Sequence, residues 1–160
     1  MNRALGTVFN DEAEIGGGWR HVKSVASPMI TAIIGSYWKH INDSLGVAGF
    51  LALIPSMELF ISHDGWVLVS DMKPGFSAAL HAAKWNRSCS EGPEHFDHVA
   101  NWIAAKGRFP VFNLRMADHA EMAMALVKQA RFEESGIIPN FDTYQGEIHS
   151  LRLFTRINQI

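Results

Sequence analysis

The first third of the chain predicts one strand followed by two helices. Apolar and polar residues alternate over 19–26, which predicts a β-strand. Ser27-Pro28 suits a helix start, because serine caps a helix and proline has no N–H to leave without a partner there. Apolar residues then recur at helical spacing: Met29, Ile30, Ile33, Ile34, Trp38 and Ile41. A short buried helix is predicted over 47–54, ending at Pro55.

Residues 57–85 predict a three-stranded antiparallel meander. The β-rich stretches 57–62 and 66–70 flank Asp64-Gly65, a pair typical of tight hairpin turns because such turns need a positive φ. Pro74-Gly75 marks a second turn, and 76–85 predicts the third strand.

The pattern then changes to alternating helix and strand. A helix is predicted over 94–106, with Gly107 past its end and a strand over 109–115. Its buried face consists of Phe96, Val99, Ala100 and Ile103. Asp118 and Glu121 have the spacing of a capping box, which predicts that Asp118 caps a further helix ending near Ala130. The residues that this helix is predicted to bury are Met122, Ala123, Leu126 and Ala130.

Two final strands are predicted over 132–138 and 147–156, separated by Pro139-Asn140 and Gln145-Gly146. The order of elements predicts an α/β fold with a mixed, mostly antiparallel sheet of six to seven strands and helices on both faces. Gly16-Gly17-Gly18 divides the chain into an N-terminal arm, 1–18, and a single domain, 19–160. An ordered arm would suggest that it packs on a neighbouring subunit, since free termini usually fray.

Composition narrows the classes of function. The 160 residues carry a formal net charge of -2 without a basic block, so neither a nucleic acid nor a membrane is an expected partner. The longest apolar run, 47–54, is far shorter than the roughly 20 residues that span a bilayer. Cys89 is the single cysteine, so no internal disulfide can form and the cytoplasm is the expected location.

Several segments resemble the GNAT superfamily of N-acetyltransferases. Residues 125–136 resemble the late helix of that family and the strand after it, with Arg131 in place of a glycine that precedes Phe132. Residues 137–140 and 145–149 resemble the family's last hairpin. Lys73-Pro74-Gly75-Phe76, followed by His81, is similar to acetyltransferase-like proteins of tailed bacteriophages.

The resemblance implies a loop that holds acetyl-CoA, and here that loop is 86–93. Its candidate cofactor-binding residues are Arg87, Ser88, Ser90 and Gly92. The family's loop is rich in glycine, whose backbone N–H groups approach the pyrophosphate at a helix N-terminus. Here Glu91 and Glu94 repel the phosphates and Pro93 donates no N–H, so weak or absent coenzyme binding is expected.

The resemblance also implies an acid and a base. Val127 stands where many relatives have a tyrosine that protonates the departing thiolate, so Tyr144 is the remaining candidate acid, provided that its loop folds over the cleft. His81 is the candidate base, because imidazole titrates near neutrality, although a purely structural hydrogen bond would also explain it. His95 and His98 lie three residues apart on one predicted helix, but no third ligand has a telling spacing, so no metal site is predicted.

Two functions remain open. The first is a non-enzymatic structural or partner-binding role on this scaffold, associated with a bacteriophage particle and involving a protein partner or self-assembly. The second is an active acetyl-CoA-dependent N-acyltransferase that uses His81 as base and Arg87 on phosphate. In the first case acetyl-CoA is not bound; in the second it is the acyl donor.

Overall fold

The computed structural model describes Phe9 and residues 15–22, 52, 56–62, 65–84 and 93–160. In these residues seven strands form one sheet, and two helices pack against it. The strands are β1 (Arg20–Val22), β2 (Glu58–Ile61), β3 (Gly65–Lys73), β4 (Ser77–Lys84), β5 (Val111–Ala117), β6 (Glu133–Tyr144) and β7 (Glu147–Ile157). The helices are α1 (Pro93–Gly107) and α2 (Glu121–Gln129). Apart from residue 52, the predicted helices over 29–41 and 47–54 lie outside the described residues.

The sheet has the order β1-β2-β3-β4-β5-β7-β6, with β6 at one edge. Strands β2, β3 and β4 form the predicted antiparallel meander, and β1 extends it by pairing with β2. Ser62 N–H donates to Gly65 O across the first turn at 2.9 Å. Strand β4 then pairs with β5 in parallel, and α1 lies between them in the chain. Strands β5, β7 and β6 are antiparallel, which confirms the mixed, mostly antiparallel sheet.

The main core lies between one face of the sheet and the two described helices. Phe60, Leu80, Leu114 and Phe154 come from that face, and the face of α1 predicted from periodicity packs on them. In α2, Val127 is fully buried, whereas Ala123 and Leu126 are only half-buried. Ala130, directly after the helix, is also fully buried. The opposite face of β2 and β3 is buried as well, at Leu59, Ile61, Trp66 and Leu68. Burial on both faces is typical of a sheet that is covered on both sides.

The described part of the predicted N-terminal arm packs on this chain's own domain. Phe9 is buried, and its ring contacts the rings of Phe60 and Trp102 at centroid distances of 5.3 and 5.8 Å. Ile15 is also buried in the main core. Order in these residues therefore needs no neighbouring subunit to explain it, and self-assembly stays a prediction.

Gly107 is required at the end of α1 because a side chain would not fit there, and not because its backbone is left-handed. Gly107 belongs to the helix, and the positive φ of 55° falls on Arg108 instead. A Cβ at position 107 would lie 2.0 Å from Cε2 of Phe109, whose ring is fully buried. The glycine is needed because Phe109 folds back over the helix end.

We expect Gly107→Ala to lower the free energy of unfolding by about 1–3 kcal/mol, because the added methyl group overpacks the contact with Phe109. Chemical denaturation measures this. Gly136→Ala is the matched control: the nearest atom to its Cβ would be Leu153 Cδ1 at an ordinary 3.5 Å. A change of less than about 0.5 kcal/mol is expected there. Equal effects at both positions would contradict the steric explanation.

The predicted capping of α2 by Asp118 is wrong. The residue at the N-cap position is Ala120, and no side chain caps this end of the helix. The Asp118 carboxylate instead accepts the backbone N–H of Ser150 at 3.2 Å and a hydrogen bond from His149. Contacts with β7 thus take the carboxylate away from the helix.

Strand β6 differs from the prediction because it runs through Pro139-Asn140 without ending. The register with β7 shifts between Ile138 and Asp142, and Asn140 has a φ of 51°. The proline marks a bulge, which is where edge strands tolerate it. Gln145 and Gly146 do form the predicted turn, with φ values of 53° and 79°.

Arg131, which replaces the family's glycine, also has a positive φ, 71°. A positive φ lies in the left-handed region, which glycine adopts most easily. This backbone conformation explains why the family pattern has glycine at this position.

A buried arginine joins β7 to α1. Arg156 has 1% of its side chain exposed, and its Nη2 lies 3.1 Å from Asp97 Oδ1. The same nitrogen donates to Asn101 Oδ1, and the guanidinium lies 5.9 Å from the centre of the Phe132 ring. Burial lowers the pKa of Arg156, and the Asp97 carboxylate opposes that effect. Arg131 binds the same carboxylate from the exposed side at 3.0 Å.

No helix in the described part of the chain is long and apolar enough to span a membrane.

Candidate functional site

The parallel pair among the described strands opens toward its carboxyl end. Strands β4 and β5 are paired from Ser77 and Val111 as far as Leu80 and Leu114. Strand β4 continues to Lys84 and β5 to Ala117, but the described residues form no further pair between them. Beyond Leu80 and Leu114 the facing edges of these two described strands therefore do not hydrogen-bond to each other. Crevices at the carboxyl ends of parallel strands are common binding sites in α/β folds.

Strand register places several polar side chains on one face beside this opening. His81 is opposite Leu68, and the adjacent Leu80 belongs to the helix-covered core face, so His81 is on the other face. By the same alternation Arg115 of β5 shares the face of His81. His149 of β7 and Tyr144 of β6 are also on this face of the sheet.

His81 is the centre of a first group of contacts. Its Nε2 lies 3.0 Å from the hydroxyl of Ser70, a buried side chain on the neighbouring strand. Burial lowers the pKa of His81 below its ordinary value, the charge of Asp71 opposes that shift, and the charge of Arg115 adds to it. His81 is therefore neutral at pH 7, which is the form that accepts a proton.

A lowered pKa for His81 makes stability depend on pH in a defined direction. Between its folded pKa and its unfolded value of about 6.5 the unfolded chain binds more protons, so this contribution is complete above pH 6.5 and is lost as the pH falls. We expect the melting temperature to fall between pH 7.5 and 5.5, and to fall less in His81→Asn. Thermal unfolding at both pH values measures this; identical falls would contradict the shift.

A second group of contacts joins the end of β5 to the start of β7. Asp118 N–H donates to Ser150 O at 3.1 Å, Ser150 N–H donates to Asp118 Oδ2 at 3.2 Å, and His149 Nδ1 donates to Asp118 Oδ1 at 2.6 Å. The hydrogen bonds from His149 and from Ser150 hold the pKa of the Asp118 carboxyl below its usual range. His149 Nε2 lies 4.0 Å from Glu147 Oε2.

Two more rings complete this group. The Tyr144 and His119 rings are stacked, with centroids 4.0 Å apart and planes within 2°. His119 also meets His149 edge to face at 4.7 Å. A small pocket beside them is lined in part by Ala117, Phe141, Thr143 and Leu151.

The structure thus distributes the predicted site residues over separate places. His81 lies with Ser70, whereas Tyr144 lies with His119 and His149. Val127 is buried in the main core and has no acidic group to offer. The predicted cofactor-binding residues Arg87, Ser88, Ser90 and Gly92 lie outside the described residues, so their roles stay predictions.

His95 and His98 both contact the segment that precedes β1. The His95 ring stacks on Trp19 at 4.8 Å, and the His95 backbone oxygen accepts a hydrogen bond from Trp19 Nε1 at 3.1 Å. His98 Nε2 lies 2.7 Å from the backbone oxygen of Ile15.

Sequence reasoning missed the pairing of Asp118 with His149. The two residues are 31 positions apart, and they meet because Ala117 pairs with Leu151 in the sheet. The adjacent ligand-type residues Asp118 and His119, close to a strand that carries a histidine, were the available signal.

Comparison with solved structures identifies the fold of this chain. No protein-family model matches the chain, and no curated protein matches its sequence. A ribosomal-protein-alanine N-acetyltransferase from Brucella melitensis has a TM-score of 0.64 at 16% identity, over 87% of this chain and 98% of that one. A GNAT family acetyltransferase from Elizabethkingia anophelis with acetyl-CoA bound has a TM-score of 0.64 at 11% identity, over 88% of this chain and 98% of that one.

A third similar structure is RimL, a ribosomal alpha-N-protein acetyltransferase in complex with coenzyme A. Its TM-score is 0.62 at 14% identity, over 98% of this chain and 93% of that one. The chain therefore has the GNAT acetyltransferase fold, as its sequence resemblance implied. The likeness to bacteriophage proteins stays a prediction.

Proposed function

We propose that this protein is an acyl-CoA-dependent N-acyltransferase that acts on an amine. The observation that carries the proposal is the opening between β4 and β5, with His81 beside it on a face that also holds Arg115, His149 and Tyr144. Similar structures contain acetyl-CoA or coenzyme A, which supports the same class of acyl donor here.

The facing edges of β4 and β5 fit such a donor. Beyond Leu80 and Leu114 the two backbones can hydrogen-bond to the amide groups of an extended chain inserted between them, much as a further strand would. An acyl-CoA thioester supplies the acyl group. The phosphate end would meet the loop 86–93, where Arg87 is the predicted cation.

The side chains of the site act on the amine. Neutral His81 accepts the proton that the amine nitrogen must lose as it forms the new amide bond, and the hydroxyl of Ser70 orients the imidazole. Tyr144 is the candidate proton donor for the leaving thiolate, but it ends strand β6 with its ring stacked on His119, apart from His81, so its acid role stays a prediction.

Calorimetry and thermal unfolding with acetyl-CoA test the proposal. At 100 times its dissociation constant a ligand adds about 2.7 kcal/mol of stability, which corresponds to a rise of roughly 5–11 °C for a domain of this size. Release of free thiol in the presence of a panel of amines then measures turnover. Neither stabilisation nor thiol release at millimolar acetyl-CoA would contradict the proposal.

Binding of acetyl-pantetheine distinguishes the contribution of the thioester end of the acyl donor from that of its phosphate end. This compound keeps the thioester and the amides but lacks the phosphates that Glu91 and Glu94 are predicted to repel. Similar affinity for both compounds would mean that the phosphates contribute little to binding.

A structural or partner-binding role is the second candidate. It is favoured by the acidic residues of the loop and by Val127, which is buried where relatives have an acid. Association with a bacteriophage particle and self-assembly are expected only if this second candidate function is correct. This candidate predicts no response to acetyl-CoA, together with a stable complex in solution that light scattering detects.

A further inference from the structure

Asp118, His119 and His149 bring three ligand-type side chains together. Each offers one donor atom, and the three atoms lie within 4.8 Å of one another. Two of the residues are consecutive at the end of β5, and the third is on β7, so the sheet itself sets their separation. All three are half-buried, which leaves the cluster accessible to a small ion.

The geometry points to a metal site: we propose that these three side chains bind a divalent transition-metal ion of the zinc type. Zinc bonds to imidazole nitrogen and carboxylate oxygen are about 2.0–2.2 Å long, so the donors around a tetrahedral ion lie roughly 3.4 Å apart. In the structure the three donor atoms lie within 4.8 Å of one another, so binding an ion would need rotation of these side chains to draw the donors closer. Two histidines and one carboxylate leave one coordination position open.

The surrounding contacts hold the donors in place. The Ser150 backbone N–H donates a hydrogen bond that holds the Asp118 carboxylate, and the Asp118 N–H donates to Ser150 O beside it. Stacking on Tyr144 fixes the plane of the His119 ring. Such positioning reduces the side-chain freedom that binding must otherwise remove. The short hydrogen bond between Asp118 and His149 keeps their donor atoms together, and an ion would replace that bond while the Nδ1 proton leaves to solvent.

The donor set selects the class of ion. Mg²⁺ and Ca²⁺ prefer shells made of oxygen atoms, whereas imidazole suits Zn²⁺, Co²⁺, Ni²⁺ and Cu²⁺. The site is therefore expected to bind Zn²⁺ and Co²⁺ and to ignore millimolar Mg²⁺.

Competition between the full chain and a chelating dye for Zn²⁺, without acyl-CoA or amine, tests the proposal independently of any acyltransferase activity. One equivalent is expected to bind. His119→Phe, which keeps a ring to stack on Tyr144, and His149→Asn should each weaken binding by about 100-fold or more, beyond the roughly 10- to 100-fold expected for loss of an outer partner. Circular dichroism of the metal-free variants checks that they fold.

His98→Asn is the matched control, since it removes a possible ligand elsewhere in the fold, and this variant should bind normally. A second measurement needs no variant: in the unaltered chain, Zn²⁺ should shift the ring-nitrogen NMR signals of His119 and His149 and leave those of His81 and His98 in place. Absence of binding, binding that survives both cluster variants, or shifts at other histidines would each overturn the site.

Discussion

Replacing Asp97 with alanine is expected to lower the free energy of unfolding by about 3–5 kcal/mol. The substitution leaves the guanidinium of Arg156 in the core without its counter-ion, and only 1% of that side chain reaches solvent. For a domain of this size the melting temperature should fall by roughly 6–20 °C. Chemical denaturation and thermal unfolding both measure the change.

Two further variants show whether the buried charge is the cause. Arg131→Ala removes the other arginine bound to Asp97, but 57% of that side chain is exposed, so a loss below about 1 kcal/mol is expected. Asp97→Ala combined with Arg156→Met removes both buried charges and should recover much of the lost stability. If Asp97→Ala costs no more than Arg131→Ala, the explanation fails.

His81→Asn is expected to lower kcat/KM for acyl transfer by about 100- to 10,000-fold, the range typical of a lost general base. The affinity for acetyl-CoA should stay unchanged, because the imidazole acts on the amine rather than on the donor. The unaltered protein should also show an acidic limb below pH 6.5, set by the lowered pKa of His81, and this limb should disappear in the variant. Thiol release across a pH series measures both effects.

His98→Asn is the matched control, because His98 is exposed and contacts the backbone of Ile15 far along the chain. Its rate should equal that of the unaltered protein. A normal rate and an unchanged pH profile in His81→Asn would exclude His81 as the base.

Local patterns were sufficient to predict most of the described fold. The meander follows from Asp64-Gly65 and Pro74-Gly75, since those residues favour the tight turns that join adjacent strands. Helix α1 follows from the spacing of Phe96, Val99, Ala100 and Ile103, all of which are buried. In each case the residues that favour a turn or a helix lie within that turn or helix, so the prediction needs no information about distant parts of the chain.

The errors arose where distant residues decide the outcome. Asp118 has the spacing of a helix cap, yet its carboxylate accepts hydrogen bonds from the Ser150 backbone and the His149 ring and does not cap the helix. Phe9 lies in a segment with few apolar residues, but it packs against Phe60 and Trp102. Neither contact can be read from the chain before the strand order is known.

The candidate site was predictable only in part for the same reason. His81 could be identified because its strand and the resembling motif are local. The cluster of Asp118, His119 and His149 needed the pairing of β5 with β7, which joins residues more than thirty positions apart.

The kinked edge strand has a consequence for how the protein behaves at high concentration. An outermost strand is a template on which other chains can polymerise, and β6 carries the exposed apolar side chains of Ile137, Ile138 and Phe141. Pro139 withholds one backbone donor, and the bulge at Asn140 bends the edge out of register. An incoming chain could follow only a short stretch on either side, so the distortion guards this sheet against fibrous aggregation.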